Sequence, residues 1–61
     1  MNFNLNLDVS EDEALAFAQF LKRACLSNYR ELAANEEEAY EMQYVGEKLR
    51  VALAQTGVAP R

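Results

Sequence analysis

Residues 2–9 alternate strictly between apolar and polar. Phe3, Leu5, Leu7 and Val9 are apolar, and Asn2, Asn4, Asn6 and Asp8 separate them. A period of two predicts a half-buried β-strand over about residues 2–9. Asparagine is a poor strand former, so the pattern rather than propensity carries this expectation.

The period then changes. Ser10-Glu11-Asp12-Glu13 has the spacing of a capping box, with Ser10 capping the amide of Glu13 and Glu13 reaching back. Acidic residues in a first turn also complement the helix dipole. Ala14, Phe17, Ala18, Leu21, Ala24, Cys25, Tyr29 and Leu32 follow at three- and four-residue spacing. They predict a helix over about residues 11–33. Ser27-Asn28 is its weak point, either a local irregularity or the end of a shorter helix. Leu15, Leu26 and Ala33 lie off the main face.

Asn35-Glu36-Glu37-Glu38 repeats the N-capping device and opens a helix predicted over about residues 36–55. Its main stripe is Ala39, Met42, Val45, Gly46, Leu49, Ala52 and Leu53. Gly46 on this side costs about 1 kcal/mol against alanine, which a close helix crossing would explain. Gly57 is placed to cap the C-terminus, with Val58 as its contact, and Pro60 cannot continue a helix. Residues 57–61 form a frayed tail in this reading. The fold expected is mainly α: one domain over 1–61, a short N-terminal strand followed by an antiparallel two-helix hairpin.

Two features are surplus to a hairpin. The strand has no partner within the chain, and a lone strand is unstable. Three outcomes are open. Phe3, Leu5 and Leu7 pair with the same strand of a second copy, the segment adds to a sheet edge on a target, or it packs on the helices as an arm. The second surplus feature is a stripe of Tyr40, Tyr44 and Val51, at about 60° on a helical wheel starting at Glu36, opposite the main stripe at about 240°. Tyrosine is enriched at interfaces, so the stripe marks a contact surface; the competing reading is an exposed i,i+4 stack.

Composition narrows the chemistry. The 61 residues carry a formal net charge of −4, with no histidine and one cysteine, Cys25. No internal disulfide can form, and neither a metal site nor a cofactor site is expected. Without imidazole, a glycine loop or room for a pocket, a catalytic role is not expected. Cys25 on the expected core face would behave as a small hydrophobe. Glu36, Glu37, Glu38 and Glu41 cluster at the start of the second helix, and Glu11, Asp12 and Glu13 at the first; capping and dipole compensation suffice for most of them, and the competing reading makes Glu37, Glu38 and Glu41 a contact surface for a basic protein partner. An acidic chain is a poor direct ligand for nucleic acid or an anionic membrane. No stretch resembles a signal peptide or a membrane span, which together with the free thiol suggests the cytoplasm.

Strand-helix-helix order resembles the ribbon-helix-helix repressors, with Phe3-Asn4-Leu5 in the strand. That resemblance implies paired strands reading DNA through Asn2, Asn4 and Asn6. Asp8 and the acidic start of the second helix run against it. A second resemblance rests on Phe20-Leu21-Lys22-Arg23, Tyr29-Arg30, Asn35-Glu36-Glu37-Glu38-Ala39-Tyr40, Ala52-Leu53-Ala54 and Ala59-Pro60-Arg61. These look like a family of short uncharacterised bacterial proteins also found on phages and mobile elements. The resemblance implies no reaction, but it implies a setting in which small acidic proteins inhibit host defence, anti-CRISPR proteins among them. The expected function is a non-catalytic protein-binding module, a homodimer that blocks a basic, nucleic-acid-handling host site; the alternative is a strand-paired DNA-binding regulator.

Overall fold

The computed structural model describes residues 1–57. Three helices follow one another: α1 (Glu11–Arg23), α2 (Leu26–Leu32) and α3 (Glu36–Gln55). The expected hairpin of two helices preceded by a strand is therefore corrected on two counts.

First, no strand forms among the described residues, and residues 1–10 are all exposed. Their alternation supplies one apolar side, but a ladder needs a second chain segment to receive its backbone hydrogen bonds. None is present. Regular structure begins where Ser10 and Glu13 satisfy each other's amides: the Ser10 hydroxyl accepts from Glu13 N–H at 3.1 Å, and the Glu13 carboxylate accepts from Ser10 N–H at 2.8 Å.

Second, the expected first helix breaks at Ala24-Cys25. Both residues adopt extended backbone, with φ,ψ of −69°, 132° and −122°, 176°. The side chain of Asn28 accepts from the Cys25 amide at 2.9 Å, so a side chain takes the donor that a continuous helix would use. Ser27 and Asn28 thus act one turn upstream of their own position. The break also changes the helix phase. α2 turns Leu26, Tyr29 and Ala33 inward to intermediate burial, while Leu32 is 83% exposed.

α3 starts as expected, with the Asn35 side chain accepting from Glu38 N–H at 2.8 Å. Its end is closed by Gly57 at φ 93°, whose amide donates to Ala54 at 3.0 Å. Left-handed backbone at a helix end is where glycine is cheapest. The Val58 contact, the Pro60 stop and most of the expected frayed tail lie outside the described residues.

α1 runs antiparallel to α3: Leu21 reaches Gly46, while Ala14 and Phe17 share a groove with Leu49, Leu53 and Thr56. α2 packs on α3 as well, while the backbones of α1 and α2 stay apart, with no Cα atoms of the two within 8 Å of each other. The helices therefore form an open layer, measuring 33 × 29 × 15 Å, rather than a closed three-helix bundle. Its core is thin. Among the described residues the buried apolar ones are Ala14, Ala18, Leu21 and Ala39, joined by Gly46, and no large side chain is fully buried. Gly46 sits at the junction of all three helices. A Cβ there would lie 2.5 Å from the Tyr29 hydroxyl, the far end of a side chain that would have to shift, and in ordinary contact with Leu21 Cδ2 at 3.5 Å.

The cost of this arrangement is exposed surface. The chain presents 5307 Å² to solvent. A compact monomer of its mass presents about 4000 Å². Residues 1–10, every one of them exposed, contribute to this difference of about 1300 Å².

Candidate functional site

Two apolar surfaces remain on this layer. The first is the outer edge of α3. Tyr40, Tyr44 and Val51 fall within about 40° of one another on the helix and about 130° from the line of Ala39 and Gly46 that faces the core. They are 38%, 57% and 43% exposed. The two tyrosine rings lie 6.4 Å apart at 30°, so the pair forms one preset aromatic ridge.

Charge around the ridge is unevenly committed. Glu36 pairs with Arg30 across the α2–α3 connection at 2.6 Å, and Glu47 pairs with Arg50 one turn along α3. The Glu36 carboxylate raises the Arg30 pKa, and Arg50 holds the Glu47 carboxyl below its ordinary value. Glu38 accepts from the Ala34 amide at 3.2 Å and so belongs to the cap of α3. Glu37 and Glu41 take no part in any hydrogen bond or ion pair among the described residues, and both are exposed. Two uncommitted carboxylates on one flank of an aromatic ridge make an acidic, partly apolar strip.

The second surface was not expected. On α1 the core line runs through Ala14, Ala18 and Leu21, with Phe17 and Phe20 to one side of it; on α3, Val45, Leu49 and Ala52 lie to one side of Ala39 and Gly46. Because α1 and α3 are antiparallel, these two offsets bring both sets to the same broad side of the layer. Phe17, Leu49 and Ala52 line one groove there, with Leu5, Leu7 and Val9 of the N-terminal arm along its rim. Phe17 and Phe20 stack at 5.3 Å and are about half exposed. Sequence periodicity merged Phe17, Val45, Leu49 and Ala52 into the core stripes, which were drawn too wide, and left Phe20 out of them: a stripe spanning Val45 to Gly46 spans two faces. The signal available was the smallness of Ala14, Ala18, Ala39 and Gly46, which draws the helices together along that line and leaves the larger neighbours outside.

The arm residues Phe3, Leu5 and Leu7, expected to pair in a strand, are 79%, 77% and 73% exposed. The arm borders the groove and leaves most of its apolar surface in water.

Cys25 is exposed, not a core residue. Its thiol lies 3.0 Å from the Ser27 hydroxyl and 3.2 Å from Asn28 Oδ1. The Ser27 hydroxyl, followed by backbone groups of Asn28 and Ser27, holds the thiol below its ordinary value of 9.0.

Among the described residues no three histidine, cysteine or carboxylate side chains converge in a metal-binding group, and no helix is long and apolar enough to cross a membrane. No curated protein and no solved structure matches the chain. A family model does, and its match runs from the arm through the three helices to the C-terminal residues. Over residues 1–61 the chain belongs to the DUF7706 family, a family of unknown function.

Proposed function

We propose that the chain is a non-catalytic protein-binding module that engages a basic protein surface through the outer edge of α3. The observation that carries this reading is the pairing of a preset tyrosine ridge, Tyr40 and Tyr44, with the uncommitted carboxylates of Glu37 and Glu41. Aromatic anchors supply contact area at low entropic cost, and rim charges select and steer an oppositely charged partner. A more specific version is a blocker of a basic, nucleic-acid-handling protein, in keeping with the net charge of −4. The strand-paired DNA regulator has no observation in its favour, since residues 1–10 form no strand.

The test is affinity capture from a lysate of the source cells with the chain and its Tyr40→Ala/Tyr44→Ala variant side by side. The expected result is a basic protein retained by the first, released by salt, and lost with the variant at unchanged helix content. Retention of the same proteins by both would reject the α3 edge as the site.

A further inference from the structure

We infer that the uncommitted flank of the tyrosine ridge receives arginine side chains of a protein partner, each guanidinium laid on Tyr40 or Tyr44 and paired with Glu37 or Glu41. The inference rests on the basic-partner reading of this edge and names the chemistry of that partner.

One flank of the ridge already holds guanidinium groups. On a helical wheel that starts at Glu36, the ridge of Tyr40, Val51 and Tyr44 lies at about 40–80°. Glu36 and Glu47 lie on one side of it, at about 0–20°, and Glu37 and Glu41 on the other, at about 100–140°. The first side is neutralised by the chain's own arginines, Arg30 on Glu36 and Arg50 on Glu47. Arg30 points Nε and Nη2 at the same Glu36 oxygen, at 2.8 and 2.6 Å. Glu36, and after it Tyr40, raise the Arg30 pKa, so a carboxylate and a tyrosine hold this guanidinium together. The second side repeats the combination. Glu37 precedes Tyr40 by three residues and Glu41 precedes Tyr44 by three, the spacing at which helical side chains are neighbours. Neither carboxylate is engaged by a cation among the described residues.

Arginine suits this strip better than lysine. A planar guanidinium stacks on an aromatic face and still offers N–H groups sideways to a carboxylate, whereas an ammonium is a strongly hydrated point charge. The rings lie 6.4 Å apart and the two carboxylates one helical turn apart, so the strip offers a ring and a carboxylate to each of two arginines. Lys48, exposed one turn beyond Tyr44, ends the acidic part of the strip and places the arginines on the N-terminal half of α3.

The test titrates the full chain with hexa-arginine and with hexalysine at the same salt concentration. Calorimetry gives the affinity and backbone amide NMR shifts give the site, for the natural sequence and for Tyr40→Ala/Tyr44→Ala, with circular dichroism on each. The natural chain should bind hexa-arginine at least about fivefold tighter than hexalysine, with the largest shifts between Glu37 and Tyr44. The tyrosine variant should bind the two peptides alike, since its carboxylates attract either charge. Equal affinity of the natural chain for both peptides at this edge overturns the arginine assignment and leaves a basic partner standing. A preference for arginine that survives loss of the rings overturns it too. Binding of neither peptide at residues 37–44 rejects the edge as a cation site, and the basic-partner reading with it. The peptide comparison on the natural chain decides between these outcomes even where the variant loses helix content.

Discussion

At the scale of single residues, small side chains decide the architecture. Ala14, Ala18, Ala39 and Gly46 let three helices approach, and Gly46 does so where a Cβ would meet the Tyr29 hydroxyl at 2.5 Å. Two effects oppose each other at this position. Alanine gains about 1 kcal/mol of helix propensity over glycine, and overpacking costs about 1–3 kcal/mol. Gly46→Ala is therefore expected to destabilise the natural chain by about 1 kcal/mol. With Tyr29→Phe the nearest remaining ring atom is 3.4 Å away, an ordinary contact. In that background Gly46→Ala should become stabilising by about 0.5–1 kcal/mol. Denaturant unfolding of the four members of the cycle measures both, and equal effects in the two backgrounds would remove Tyr29 as the cause.

At the scale of elements, the helix starts could be read from the sequence, and the break and the arm could not. Ser10–Glu13 and Asn35–Glu38 announce α1 and α3 through local hydrogen bonds whose partners are three residues apart. The alternation of residues 2–9 is equally regular, but a strand depends on a partner that lies outside the segment, and pattern alone does not supply one. The break at Ala24-Cys25 was hidden because Asn28 acts on an amide three residues before it. The stripes of α1 and α3 blurred core and surface because Phe17 and Val45 each directly precede a buried residue, Ala18 and Gly46. The break leaves a chemical mark. Ser27 and Asn28 hold the Cys25 thiol below its ordinary value in the folded chain, so its thiolate persists to lower pH than in the unfolded chain. The pH midpoint of Cys25 alkylation should be lower for the native protein than in denaturant, and Ser27→Ala should move the native midpoint upward. Coincident midpoints would mean that the α1–α2 junction does not hold this geometry in solution.

At the scale of the whole molecule, an open layer with an alanine core leaves more surface than a chain of 6.9 kDa can keep in water at little cost. The phenylalanine face, the tyrosine edge and the arm are parts of that surface, and charge argues for a cover at the tyrosine edge. Binding to the native state alone stabilises it in proportion to the logarithm of partner concentration. The most direct measurement of this account is the urea midpoint of the purified chain without and with hexa-arginine at about 100 times its dissociation constant. A ligand that binds only the folded edge then adds about 2.7 kcal/mol, so the midpoint should rise clearly. A midpoint that the bound peptide leaves unmoved would mean that it holds the unfolded chain equally well, by net charge alone, and would contradict a binding edge built by the fold.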